Sequence, residues 1–287
     1  MKGLRKVAVF GLAKSGTTAL LYLLRDSWPG EHRLRVLFEP REWDPAGRDL
    51  TQDFLVKVLI GPPGYADYPS FSEFSPKILI VRDPRDALVS ALLYNLFEFP
   101  AETHSRELEA YLELVERKVV DPQSVRLKDI AGAMLRGMFP EKAGDPAYPN
   151  DGRIQRLILD GCDWQTAFLK QVSDVVVVRY EAFIERDLGE LETRLQFPLR
   201  GSGEVEAEHR RVARSKGKGE WRKWFTEEDH TFFSHPISGY LETWGYCPDY
   251  QPDTRGIDRR TSIDYLHQLL QKRKERIDRQ RGIQESG

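Results

Sequence analysis

Val7-Ala8-Val9-Phe10-Gly11-Leu12-Ala13-Lys14-Ser15-Gly16-Thr17-Thr18-Ala19-Leu20-Leu21-Tyr22-Leu23-Leu24 decides the fold. Four apolar residues with β-branched content read as a buried strand. A short polar turn follows, and then an apolar run with helical spacing. Gly16 lets the backbone approach a ligand oxygen, and the N–H groups opening the next helix point at it. Lys14 adds a point charge, and Thr17 and Thr18 add hydroxyl donors. A strand, an anion-gripping turn and a helix in this order predict binding of a phosphorylated nucleotide or a close analogue.

Working outward, residues 34–38, 77–81 and 175–178 have the same strand character, and 54–60 joins them except for Lys57. Helical stretches are expected over 17–25, 87–97 and 153–172. Strands alternating with helices predict an α/β fold in three layers, a central parallel sheet flanked by helices. The 287 residues are within reach of a single domain over 1–287. Glu98 to Gly152 reads as an excursion, with helices over 108–119 and 125–138 and a turn-rich loop over 144–152. Such an insertion is expected to cover an acceptor site. The stretch 256–287 is expected to form a terminal helix and tail. Within it Ile263, Leu266, Leu269 and Leu270 share a face, and basic residues gather near its end.

Ligands of an open parallel sheet bind beyond the carboxyl ends of its strands. Each strand here is followed by polar groups: Lys14-Ser15-Gly16, Glu39-Pro40, Arg82-Asp83-Pro84-Arg85-Asp86 and Arg179-Tyr180-Glu181. Asp83 suits a helix N-cap, Pro84 the first helical position and Asp86 the reciprocal capping position. Arg82 and Ser90 have no such structural reason, and either suits an anion. Arg214-Ser215-Lys216-Gly217-Lys218-Gly219 is a flexible loop rich in donors. In the nucleoside-triphosphatase loop the lysine follows the last glycine and precedes Ser or Thr. Here Lys14 precedes Ser15-Gly16, so a kinase or ATPase is a poorer fit and stands as the alternative.

Formal net charge is -2, which gives no chain-wide electrostatic footprint for nucleic acid. No run of about 18 apolar residues is present to span a membrane. A basic start before an apolar run looks like a secretion signal, but Lys14, Ser15 and Gly16 interrupt it. The expectation is a cytoplasmic protein, or a domain of a larger one. The two cysteines, Cys162 and Cys247, have no metal-ligand spacing.

Taken together, these residues resemble the sulfotransferase family that uses 3′-phosphoadenosine 5′-phosphosulfate. The resemblance rests on Lys14-Ser15-Gly16-Thr17-Thr18, on Arg82-Asp83-Pro84-Arg85-Asp86 with Ser90, and on Arg179-Tyr180-Glu181. It also rests on the basic glycine loop ending Gly219-Glu220-Trp221 and on the closing Trp244-Gly245-Tyr246. The elements occur in the family's order along nearly the whole chain.

The resemblance implies that Lys14, Ser15, Gly16, Thr17 and Thr18 hold the 5′-phosphosulfate end of the donor, with Ala19 also among the donor-binding residues. It implies that Arg82, Ser90, Arg214, Ser215, Lys216 and Gly217 hold the 3′-phosphate, and that Tyr180 lies near the adenine. Lys14 would meet the bridging oxygen, and 3′-phosphoadenosine 5′-phosphate would leave as product, with no metal required. The acceptor would be a hydroxyl or amine of a small molecule, glycan or lipid. A binding module that has lost catalysis is a further alternative.

Two features depart from the family pattern. Ala19 stands where many members have tryptophan, so adenine stacking must come from elsewhere. Lys57-Val58-Leu59 stands where many have Lys-Thr-His, whose histidine is the base. Glu39, in a Phe-Glu-Pro sequence similar to that of carbohydrate sulfotransferases, is then the expected general base. An arginine in the crevice is its expected partner if it is structural. Lys57, costly inside an apolar strand without a partner, supports the site or pairs with Glu39. Histidines such as His104 and His209 are reserves. Tyr65, Tyr68, Phe71 and Phe74 suggest an apolar or ring-bearing acceptor.

Overall fold

The protein is described from a computed structural model covering residues 4–30, 33–206, 209 and 217–284, with side chains through 280. The chain runs β1 (Lys6–Leu12), α1 (Thr17–Asp26), β2 (Leu34–Phe38), β3 (Asp53–Ile60), β4 (Lys77–Val81) and α2 (Pro84–Tyr94). It continues through α3 (Ser105–Val120), α4 (Leu127–Met138), α5 (Asp151–Leu169), β5 (Val175–Arg179), α6 (Tyr180–Glu185) and α7 (Gly189–Leu195). It closes with α8 (Trp221–Trp224), α9 (Glu227–Ser234), α10 (Ser238–Thr243) and α11 (Ile263–Gln284). Two compact units result: Met1–Ala87 with Asp160–Lys216, and Leu88–Leu159 with Gly217–Gly287. Among the described residues no helix is long and apolar enough to cross a membrane.

The first unit holds a five-stranded sheet in the order β2-β3-β1-β4-β5. Every pairing is parallel, with Val9 opposite Lys57 and Ile78, and Phe38 opposite Lys57. On one face, Val7, Val9, Leu55, Ile78, Ile80, Val176 and Val178 pack under α1, α6 and α7. On the other, Phe10 meets Tyr68, Phe71 and Phe168, and Trp43 stands against Phe54 and Phe74. Burial on both faces is why the inner strands β1, β3 and β4 read as apolar runs rather than alternations, while the edge strands β2 and β5 are only partly covered. A buried Leu, Ile, Val or Phe side chain contributes about 1.5–3 kcal/mol, so this double covering holds the sheet.

β1 is longer at both ends than the apolar run predicted. Lys6 joins because its ammonium reaches Glu73 at 2.6 Å and lies 5.4 Å from the Trp43 ring centroid. Helix α2 begins at Pro84, the first helical position expected from the capping residues and three residues before the helical stretch expected from 87. Asp83 caps it: Oδ1 accepts the Arg85 backbone N–H at 2.9 Å, and the carboxylate also holds the Arg85 guanidinium at 2.8 and 2.9 Å. Arg85 is therefore a locked structural residue, only 1% exposed.

The second unit is helical among its described residues. One carboxylate ties three parts of it together. Asp229 forms a capping box with Thr226 at the start of α9 and accepts the backbone N–H groups of Leu127 and Lys128 at the start of α4. Lys118, fully buried, lies 4.0 Å from Asp229 and donates to Pro122 O at 2.6 Å and to Val125 O. Burial lowers its pKa to about 8 despite the nearby carboxylates. In α11, Ile263, Leu266 and Leu269 are buried as expected. Arg273 and Arg276 are more than solvated cations, since they donate to Phe99 O at 3.0 and 3.3 Å.

Candidate functional site

Chemistry collects at the carboxyl ends of the first unit's strands. After Leu12 the chain folds back tightly: the Ser15 N–H and hydroxyl donate to Leu12 O at 3.2 and 2.7 Å. Lys14 sits at φ 67, left-handed backbone that costs a non-glycine residue about 1–2 kcal/mol. Gly16, at φ 97, is the N-cap of α1. No side chain caps that terminus, and its first turn carries no acidic residue. Its backbone donors and positive dipole end thus suit an anion.

Gly11 is a site residue that the sequence reading passed over. A Cβ there would lie 2.7 Å from Ser15 Oγ and Thr17 Cγ2 and 2.8 Å from Ile80 Cγ2. The turn can fold onto the strand end only because that atom is missing. A glycine at the close of an apolar strand is the signal that pointed to it.

Three adjacent strand ends are linked beside this turn. Arg82, just past β4, donates from Nη1 to Lys14 O at 2.9 Å. Its guanidinium lies 4.3 Å from the centroid of the Tyr180 ring, which follows β5. Tyr180 in turn packs on Gly16, where a Cβ would approach Cδ2 to 2.6 Å. Lys14, Gly16, Arg82 and Tyr180, separately predicted, therefore form one cluster. Glu181 accepts from the Asp83 N–H at 3.4 Å and lies 3.8 Å from Arg179.

A second cluster stands on the other side of α1. Lys57, 4% exposed, donates from Nζ to Thr18 Oγ1 at 3.0 Å and pairs with Glu39 Oε1 at 2.7 Å. The Glu39 partner is thus this buried lysine rather than an arginine. Glu39 is held at φ 53, and its N–H donates to Lys57 O at 2.7 Å. Its side chain stays 43% exposed, so one oxygen is oriented from within while the carboxylate faces solvent. Phe38 stacks on His209 with centroids 4.5 Å apart, and His209 Nδ1 lies 2.8 Å from the Tyr22 hydroxyl. His209 is thereby placed against Phe38, the residue before Glu39, whereas His104 belongs to the second unit at the start of α3.

The remaining predicted residues divide. Ser15, Thr17 and Thr18 are buried in the turn and first helical turn. Ala19 packs against the core layer under α1. Ser90 is buried on α2 within the second unit. Arg214, Ser215 and Lys216 lie outside the described residues, and Gly217 opens the second unit's later stretch. Of the aromatic residues considered for an acceptor, Tyr68, Phe71 and Phe74 are core. Tyr65 is not, and its ring lies against Gly61. Cys162 is buried, which raises its thiol pKa to about 12. Among the described residues no His, Cys, Asp or Glu cluster of three or more could hold a metal ion.

No protein-family model matches the chain, and no curated protein matches it. Among solved structures, mouse sulfotransferase SULT7A1 complexed with PAP aligns over 83% of this chain and 85% of its own. The aligned residues are 12% identical and the TM-score is 0.49. At that level of likeness no residue of this chain takes a role from the neighbour.

Proposed function

We propose that this chain is a sulfotransferase, moving a sulfuryl group from 3′-phosphoadenosine 5′-phosphosulfate to a hydroxyl or amine of a small-molecule, glycan or lipid acceptor. One observation carries the reading. The uncapped, acid-free start of α1 stands behind a turn in which Lys14 is held left-handed, and Arg82 and Tyr180 are fastened onto that turn. This joins an anion-binding helix terminus, two cations and an aromatic ring within one unit, as a nucleotide with a transferable anionic group requires.

Residues of the turn, Lys14 to Thr18, would hold the 5′-phosphosulfate. Lys14 would stabilise charge developing on the bridging oxygen, where a preorganised cation favours the transition state over the ground state. Arg82 and Tyr180 would hold the nucleoside end, with Ser90, Arg214, Ser215, Lys216 and Gly217 completing the 3′-phosphate contacts. Glu39 would accept the acceptor's proton. Lys57 supports that role by fixing one Glu39 oxygen and leaving the carboxylate accessible.

Calorimetry tests the donor. The expected result is binding of 3′-phosphoadenosine 5′-phosphate without magnesium. Magnesium-dependent ATP binding with no response to that product would replace the reading with a kinase or ATPase. With labelled donor and a working acceptor, Lys14→Ala should abolish transfer. Glu39→Gln should slow it by about 10²–10⁴-fold with donor binding retained. Undiminished turnover in Glu39→Gln would move the base elsewhere.

A further inference from the structure

Beyond β2 and β3, next to Glu39, a second built surface uses none of the residues given to the donor. Tyr65 is anchored from two directions. A Cβ on Gly61 would lie 2.5 Å from Tyr65 Cγ, so the ring rests on bare backbone at the end of β3. The Tyr65 N–H also donates to Pro62 O at 2.9 Å. Arg41, two residues past Glu39, lies over this ring at 4.5 Å and donates from Nη1 to Tyr65 O at 3.3 Å. Its own carbonyl accepts the Asp67 N–H at 2.7 Å, which fixes the backbone beneath the side chain. Among the described residues neither Glu42 nor Asp67 forms an ion pair with the guanidinium. The residue is exposed, so the fork of N–H donors not used on Tyr65 faces solvent.

We propose that Arg41, set by Tyr65, recognises a carboxylate on the acceptor and so selects an anionic hydroxyl compound such as a uronic-acid-bearing glycan. The inference rests on the sulfotransferase reading for the chemistry at Glu39, but not for the binding itself. A long arginine side chain left mobile in water loses much entropy on engaging an anion. One already stacked and hydrogen-bonded loses less, and its planar fork matches a carboxylate bidentately. Arg41 follows Glu39 by two residues, so both side chains leave the same short segment after β2. Lysine at this position would supply charge without the fork or the stack.

The test compares p-nitrophenyl β-D-glucuronide with p-nitrophenyl β-D-glucoside, which differ in the carboxylate. Equilibrium binding of each is measured by calorimetry with 3′-phosphoadenosine 5′-phosphate present. The wild-type chain should favour the glucuronide by about tenfold or more, as a charged bidentate hydrogen bond permits. Arg41→Ala should bring the ratio to about one, while Arg41→Lys and Tyr65→Leu should leave intermediate ratios. Melting temperatures should stay near wild type for the exposed Arg41 variants, and affinity for 3′-phosphoadenosine 5′-phosphate should not change. Equal affinities in the wild type, a preference that survives Arg41→Ala, or donor-product binding weakened by Arg41→Ala would each overturn the inference. Should the nucleotide fail to bind while the glucuronide preference still follows Arg41, the donor reading falls and the anion subsite stands.

Discussion

Gly16→Ala separates two reasons for a glycine at the head of α1. The first is conformational: at φ 97 a Cβ-bearing residue is strained by about 1–2 kcal/mol. The second is spatial: the new Cβ would lie 2.6 and 2.8 Å from Tyr180 Cδ2 and Cε2. Tyr180 cannot yield freely, because it is 5% exposed and carries the Arg82 guanidinium. Forcing a methyl group into such packing costs about 1–3 kcal/mol. Gly16→Ala should therefore destabilise the wild-type chain by about 2–5 kcal/mol in urea unfolding. In a Tyr180→Ala background the overlap is gone, and the same change should cost only the conformational part, about 1–2 kcal/mol. The double-mutant cycle should thus return a coupling of about 1–3 kcal/mol. Equal costs in the two backgrounds would mean that the ring is not what Gly16 makes room for, and the link between the turn and β5 would be wrong. Tyr180→Ala is itself expensive, so the cycle is best read at low denaturant with a ligand-free chain.

Other expectations follow from the same geometry. Lys14→Gly should raise stability by up to about 1 kcal/mol, since glycine tolerates φ 67, yet remove the proposed sulfate transfer; lost stability would deny the strain. Lys118 is protonated in both folded and unfolded chains below about pH 8, while above it the folded form releases its proton first. The unfolded chain then binds more protons, so stability should rise by roughly 1–2 kcal/mol between pH 8 and 9.5, and Lys118→Met should flatten that rise. Burial also raises the Tyr111 hydroxyl pKa, so the unfolded chain loses tyrosine protons first and the gain should reverse above about pH 10. Ellman's reagent should titrate one thiol per native chain, the exposed Cys247, and reach Cys162 only on unfolding.

The inner strands β1, β3 and β4 were legible because both of their faces are buried, so their apolar runs stand out without alternation, and the edge strand β5 was legible from its run of four valines despite its exposed Val177. Ends were less legible. Lys6 and Gly11 look like breaks in an apolar run, yet one reaches Glu73 and the other makes room for the turn. Lys14, Gly16, Arg82 and Tyr180 could be named from strand-end position, but their mutual contacts could not. Spacing along the chain does not say that the ring after β5 lies over the turn after β1; the order β2-β3-β1-β4-β5 does. The aromatic residues show the reverse limit. Tyr65, Tyr68, Phe71 and Phe74 are similar in sequence, and only packing against Phe10, Phe168 and Trp43 separates core from surface. Glu39 was legible as a carboxylate past a strand and Lys57 as one of its candidate partners, and the Phe38–Lys57 register is what brings that pair together.

Lys57 gives the clearest reason for this arrangement. A buried lysine in the middle of an eight-residue strand, under α1, breaks the apolar rule that the buried interiors of β1 and β4 keep. Its desolvation is offset only because two acceptors from different elements reach it, Thr18 on α1 and Glu39 after β2. For stability alone a methionine would serve as well, since a buried ion pair gains little over an apolar residue of similar volume. What methionine cannot do is join the helix that follows the proposed anion-binding turn to the carboxylate at the next strand end. Lys14 and Glu39 are both left-handed, and each lies one step from that bridge: Lys14 through the turn leading into Thr18, Glu39 through its own ion pair. Two of the left-handed non-glycine residues and a costly buried charge thus fall on the few residues that connect the proposed donor side to the proposed acceptor side. The surrounding sheet follows ordinary packing rules and supplies the stability that offsets them.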